Sequence, residues 1–124
     1  MKLETKIYDK LKKVLPPVFD KAVLYANVTE SSFDIHYYLF EEQSLTPKQC
    51  YTLAEEGELD ANLLDQIFAE LAYFIRQDDR FQKQKVNLVT EVITKTELVL
   101  DYQELERLEN MAKVKKEWKI RYLK

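Results

Sequence analysis

The spacing of apolar residues changes repeatedly along this chain of 124 residues, and each change limits the elements that it can form. In residues 3–15 the apolar side chains recur every three or four positions, which is typical of an amphipathic helix. Pro16 and Pro17 lack backbone N–H groups, so this helix is expected to end before them. Residues 21–29 and 33–40 are instead rich in β-branched and aromatic residues, and the short polar segment between them predicts an antiparallel hairpin.

The middle of the chain contains a loop region and the clearest helix signal. Residues 41–60 have no sustained period, so we predict a loop with one short strand near residues 50–53. Residues 61–75 carry a strong apolar stripe at helical spacing, and Asp60 is well placed as the N-cap of that helix. The stripe residues expected in the core are Leu64, Ile67, Phe68 and Leu71.

The last third of the chain repeats the change from strand to helix. A second hairpin is predicted over residues 85–93 and 96–102, and a long helix over residues 105–122. All segments together predict one α+β domain spanning residues 1–124. We expect an antiparallel sheet of four to five strands with helices packed on one side of it, in the order α-β-β-(β)-α-β-β-α.

Both faces of the second predicted strand carry aromatic residues. One face is formed by Phe33, Ile35, Tyr37 and Leu39, and the other by Asp34, His36, Tyr38 and Phe40. Such a sheet is either covered on both sides or offers one aromatic face to a partner. His36 is interpreted as a strand residue of the outer face.

Acidic residues are concentrated in the middle of the chain. Residues 30–79 contain two basic and twelve acidic residues, a formal charge of −10, whereas the whole chain carries −3. Residues 113–124 are basic, with a formal charge of +5. Because nucleic-acid affinity comes chiefly from phosphate neutralisation by Lys and Arg, the acidic segment disfavours direct nucleic-acid binding and favours a partner with a basic surface. The simpler alternative is that the acidic surface only keeps the chain soluble.

The scarcity of glycine, cysteine and histidine disfavours several classes of function. The single glycine, Gly57, cannot form the glycine-rich loops that hold phosphates. One cysteine, Cys50, and one histidine, His36, cannot supply an internal disulfide or a closed zinc site. They could formally act as nucleophile and base, but structural roles are far commoner for such residues. We therefore predict no enzyme activity, no cofactor and no metal.

The apolar segments of the sequence bear on where the protein is located. The first six residues contain no apolar core of a secretion signal, and no stretch approaches the length of a membrane span. We expect a cytoplasmic protein without a membrane partner.

Paired carboxylates and tyrosines provide the candidate partner-binding residues. Adjacent carboxylates can hold magnesium when buried, but in loops and at helix ends they more often form a solvated surface or a face for a basic partner. The acidic candidates are Glu41, Glu42, Glu55, Glu56, Glu58, Asp60, Asp78 and Asp79. Tyrosines are enriched at binding hot spots, and the aromatic candidates beside these loops are Tyr37, Tyr38 and Tyr51.

Several segments resemble the YezG-like family, a domain family of unknown function. After the helix that ends at a proline, KAVLYANVTESSFDIHYYLF is similar to that family's "LYAEV" strand and the aromatic strand that follows it. The segment VNLVTEVITKTELVLDYQELERLE is similar to its late hairpin, which runs into an Asp-Tyr step. The last segment, KKEWKIRYLK, resembles the family's terminal Trp-Lys-Tyr-Lys segment.

The resemblance implies an antitoxin or immunity protein of Gram-positive bacteria. Such proteins neutralise secreted toxins, often nucleases exported by type VII secretion, and no catalytic residues come with the family. By resemblance, this immunity-protein-like domain would bind and occlude its cognate toxin domain inside the producing cell. A different class also fits: a secretion adaptor or chaperone that holds an exported partner without inhibiting it.

Overall fold

A five-stranded antiparallel sheet forms the centre of the computed structural model, which describes residues 1–41, 46–106 and 110–123. Its strands are β1 (Lys21–Val28), β2 (Phe33–Phe40), β3 (Lys48–Gln49), β4 (Val86–Thr94) and β5 (Leu98–Leu105). They lie side by side in the order β3-β2-β1-β4-β5, and each neighbouring pair is antiparallel. The helices are α1 (Leu3–Leu11), α2 (Cys50–Glu55), α3 (Ala61–Gln77) and α4 (Met111–Tyr122). The predicted α+β class is confirmed.

The helix boundaries follow the local chemistry of the chain. A short 3₁₀ turn, Lys12–Val14, continues α1 up to the two prolines. Asp60 is the N-cap of α3, as predicted, because its Oδ1 accepts hydrogen bonds from the backbone N–H groups of Asn62 at 2.9 Å and Leu63 at 3.3 Å. Asn110 caps α4 in the same way.

One face of the sheet packs against α1 and α3. The first strand contributes the alternate residues Ala22, Leu24, Ala26 and Val28 to this core. The predicted stripe of α3 is buried there and comprises Leu64, Ile67, Phe68 and Leu71. Among the described helices, none combines the length and apolar character needed to cross a membrane.

The other face of the sheet is covered by α4, so the prediction of helices on one side is wrong. Trp118 of α4 is buried edge-on against Tyr25, with ring centroids 5.0 Å apart, and its Nε1 donates a hydrogen bond to Thr90 Oγ1 at 2.8 Å. His36 does lie on this outer face, but it is only 2% exposed because α4 covers it. The second aromatic face is therefore part of a second core.

Two predicted elements are wrong in detail. Residues 50–53 lie in helix α2, where Cys50 and Leu53 share the buried side, and the short strand comes just before them at Lys48–Gln49. The last helix does not begin at Leu105, because that residue still belongs to β5 and pairs with Val86. The helix begins at Met111, while the predicted helical positions 107–109 lie outside the described residues.

Candidate functional site

An open groove lies where the proline turn after α1 meets helix α2 and the end of strand β2. Its volume is about 440 Å³. The apolar residues that line it are Leu15, Pro16, Pro17, Leu39, Leu53 and Leu59. Glu41 and Glu58 also line the groove, and both side chains are exposed. This groove can take an apolar side chain whose neighbours carry positive charge.

The turn after α2 places one of these carboxylates beside the groove. The backbone N–H of Gly57 donates to the Ala54 carbonyl at 3.1 Å, and that of Glu58 donates to the Leu53 carbonyl at 2.9 Å. These bonds fold Glu58 back over the end of α2. Gly57 has a φ of +82°, a left-handed conformation that glycine adopts without the steric cost of a side chain.

The carboxylates around the groove are not engaged in ion pairs within the described part of the chain. Glu55 and Glu56, at the end of α2, are exposed and adjoin the turn that carries Glu58. Across residues 1–41, 46–106 and 110–123, no ion pair includes Glu41, Glu55, Glu56 or Glu58. We call these four residues, together with the apolar lining, the acidic groove. The negative charge of its four carboxylates attracts a basic surface.

Asp60 and Tyr51 do not line the acidic groove, and both have partners within the chain. The Asp60 carboxylate caps α3. The half-buried Tyr51 donates its hydroxyl to Asp65 Oδ1 at 3.2 Å, and its ring contacts Phe68 edge-on. Burial, followed by the charge of Asp65, raises the pKa of Tyr51 to about 12. Asp65 of α3 is an exposed acidic residue that lies opposite Tyr51 of α2. It was not among the predicted binding residues, because nothing in the sequence indicates that α3 and α2 meet at this point.

The other aromatic candidates are not on this surface. Tyr37 is fully buried and donates its hydroxyl to the backbone carbonyl of Val14. Tyr38 is 7% exposed and packs against Trp118 under α4. Neither ring offers a surface to a partner in this structure, so Tyr51 is the candidate tyrosine that stays accessible.

Two of the remaining acidic candidates, Asp78 and Asp79, are not part of the groove. Asp78 and Asp79 lie at the far end of α3, a helix of 17 residues that spans about 25 Å. Asp78 forms an ion pair with Arg80 at 2.8 Å, and this hydrogen bond lowers the pKa of the carboxyl. Glu42 lies outside the described residues.

The geometry separates the one cysteine from the one histidine. Cys50 is buried in the core on the α3 side of the sheet, and burial raises the pKa of its thiol to about 11. His36 lies on the opposite face, where burial, and then the charge of Lys115, lowers its pKa to about 4. They cannot act together as nucleophile and base. Among the described residues, no group of three or more His, Cys, Asp or Glu side chains is arranged to hold a metal ion.

In comparisons with known proteins, no family and no curated protein matches this chain. The YezG-like assignment therefore stays a prediction made from the sequence.

Proposed function

We propose that this protein is a binding protein that covers a basic surface of a partner protein, as a cytoplasmic immunity protein that occludes a toxin domain. The observation that supports this function is the acidic groove. It combines an apolar lining with exposed carboxylates that form no ion pair within the described part of the chain.

The charge of the groove suits inhibition of an enzyme that acts on nucleic acid. A nuclease domain binds its phosphates with Lys and Arg, so its substrate site is basic. An acidic protein that lies over such a site excludes nucleic acid by charge repulsion and by volume. Occlusion of this kind needs no catalytic residue, cofactor or metal in the inhibitor.

The two parts of the groove have different roles in binding. Exposed charges act mainly on the rate of association, because they guide the partner before contact. The apolar lining at Leu15, Pro17 and Leu59, which is not fully buried in the free protein, acts mainly on dissociation, because it loses its remaining water only in the complex.

Charge reversal beside the groove is expected to slow association. The double variant Glu55→Lys and Glu56→Lys should reduce the association rate about tenfold at low salt, since electrostatic steering raises such rates by tenfold or more. The measurement is stopped-flow or surface plasmon binding to the C-terminal domain of the protein encoded by the neighbouring gene, from low to high salt. Stability should change by about half a kcal/mol or less, because both residues are exposed.

A matched control carries the same change in net charge at the other end of α3. Glu30→Lys with Asp79→Lys alters two exposed carboxylates far from the groove, and it should leave the association rate within about twofold of the native value. Equal slowing by both double variants would show that only net charge matters and that the groove is not the site.

Growth rescue separates inhibition from simple holding of a partner. Co-expression with the neighbouring toxin domain should restore growth, and the charge-reversed variant should restore it less well. Binding without rescue would identify an adaptor or chaperone for an exported partner instead. Absence of both binding and rescue would refute both functions.

A further inference from the structure

Helix α4 is held on the sheet by a small number of side chains. Trp118 is the only one of its twelve residues that is buried. Besides the hydrogen bond from Trp118 to Thr90, the Tyr122 hydroxyl donates to Asp101 Oδ2 at 3.0 Å. Within the described residues, no backbone hydrogen bond joins α4 to a strand. The helix can therefore leave the sheet without breaking the hydrogen bonds between strands.

His36 lies beneath α4 in surroundings that suit only its neutral form. Its ring stacks on Tyr25, with ring centroids 4.9 Å apart, and meets Tyr38 edge-on at 5.4 Å. Its Nε2 is buried and has no hydrogen-bond partner among the described residues. A neutral imidazole can leave a bare acceptor at this nitrogen, whereas a protonated one would bury an N–H group without a partner.

The charges around His36 are divided between the sheet and α4. Asp34 is on the same strand as His36, and its Oδ1 lies 3.4 Å from His36 Nδ1. Lys115 of α4 places its Nζ 3.1 Å from Asp34 Oδ2. Burial and then Lys115 lower the pKa of His36 to about 4, Lys119 of α4 adds to this effect, and Asp34 opposes it. When α4 leaves, both cations leave with it and Asp34 stays beside the imidazole.

The other titratable side chains in contact with the imidazole are Tyr25 and Tyr38. Burial raises the pKa of both hydroxyls, so neither changes its charge between pH 5 and 7.5. His36 is the single histidine of the sequence. A structural change on this face of the sheet in that pH range therefore reports protonation of His36.

We propose that α4 is an acid-sensitive cover of the sheet, which protonation of His36 releases while the core under α1 and α3 stays folded. In the open form the imidazolium gains water and keeps Asp34 as a partner, so the proton favours that form. The release depends on packing within the chain and not on the proposed binding function. The second core that it uncovers consists of Val23, Tyr25, Tyr38, Val86, Leu88 and Leu105.

The alternative is that protonation of His36 acts only through unfolding of the whole domain. Glu91 helps to separate the two cases, because it is buried on the opposite face and its pKa is raised to about 9. It binds a proton more tightly in the folded state than in the unfolded state. Acidification therefore strengthens that side of the fold while it weakens the contact with α4.

The test is hydrogen exchange measured by NMR on the full chain at pH 7.5 and pH 5. Rates are converted to protection factors, which correct for the pH dependence of exchange in an open chain. The α4 amides and the Trp118 indole N–H should lose protection by about tenfold or more at pH 5. The amides of α3, which exchange through unfolding of the whole domain, should keep their protection.

Three variants test the groups that carry the effect. His36→Leu has no titratable group at similar volume, so its α4 protection should agree at the two pH values within about twofold. Lys115→Gln removes the nearer cation and should reduce the acid-induced loss by about twofold or more. Lys116→Gln removes an exposed cation of the same helix and should keep the native loss. If His36→Leu does not fold, the two lysine variants still test the role of charge.

Four results would overturn the proposal. One is equal α4 protection at both pH values, and another is an equal loss of protection in α3 and α4. The third is a native acid-induced loss in His36→Leu, and the fourth is the same loss in Lys115→Gln as in Lys116→Gln. None of these measurements uses a partner, so the groove experiment with Glu55 and Glu56 can succeed or fail independently.

Discussion

Replacing Phe68 with alanine is expected to lower the free energy of unfolding by about 3–5 kcal/mol. Its ring is 1% exposed in the centre of the core between α3 and the sheet. It contacts Tyr37 and Tyr51 edge-on, with ring centroids 6.4 Å and 6.1 Å apart. Truncation removes these contacts and leaves a cavity that the surrounding sheet and helices cannot close. Denaturant unfolding followed by circular dichroism measures the loss.

Tyr73 provides a matched control on the same helix. Its side chain is 59% exposed, so Tyr73→Ala should change the free energy of unfolding by about half a kcal/mol or less. A loss for Phe68→Ala no larger than that for Tyr73→Ala would contradict the packing described above.

The long elements could be predicted because each keeps a consistent residue pattern over many positions. Helix α3 has an apolar stripe over 17 residues and a side-chain cap at Asp60, and both signals agree. The hairpin of β1 and β2 was also predictable, because both eight-residue segments are rich in β-branched and aromatic residues and a short polar segment separates them. Fold class follows from the order of such segments.

The short elements could not be predicted, because they contain too few residues to show a helical or strand spacing of apolar side chains. Helix α2 has six residues, and two buried side chains three positions apart, Cys50 and Leu53, do not distinguish a helical turn from a strand. The end of β5 was missed because Leu105 is out of phase with Leu98, Leu100 and Tyr102 and fits the apolar spacing that follows it. In the structure it lies on the other face of the strand, in the core under α4. The cap at Asn110 marks the true start of α4.

The candidate site depends on packing that spacing does not reveal. Glu41 and Glu58 are 17 positions apart, and they meet because α2 packs against the proline turn beside β2. Tyr37 and Tyr38 are predicted as binding residues because the sequence contains more aromatic residues than a single small core is expected to bury. In the structure Tyr37 lies in the core under α3 and Tyr38 lies in the second core under α4. Helix α4 covers the sheet face that a single layer of helices would leave exposed.

Glu91 is the buried residue that most contradicts the apolar pattern of its strand. It lies on the α1 side of β4, opposite Leu24 and Leu100, and is fully buried. Neither carboxylate oxygen has a hydrogen-bond partner among the described residues. Burial, with a further effect of Glu4, raises the pKa of Glu91 to about 9. The carboxyl group is therefore neutral in the folded protein at pH 7.

The free energy of unfolding should fall as pH rises from about 6.5 to 9. In that range the folded state keeps a proton on Glu91 that the unfolded state, with an ordinary pKa near 4.5, has released. The slope can reach about 1.4 kcal/mol per pH unit. Below pH 6.5, His36 acts in the opposite direction, because its lowered pKa makes the unfolded state bind the extra proton. The two contributions oppose each other between pH 4.5 and 6.5.

Glu91→Leu is expected to raise the free energy of unfolding by about 1–3 kcal/mol at neutral pH, because it removes an unsatisfied buried group at similar volume. It should also flatten the stability profile between pH 6.5 and 8.5, a window that lies below the titration of Cys50 and the tyrosines. Denaturant unfolding at each pH measures both effects. The exposed Glu97→Leu serves as the control and should keep the native slope. An unchanged slope in Glu91→Leu would mean that Glu91 is ionised in the folded state, and the buried carboxyl would then need a cationic partner.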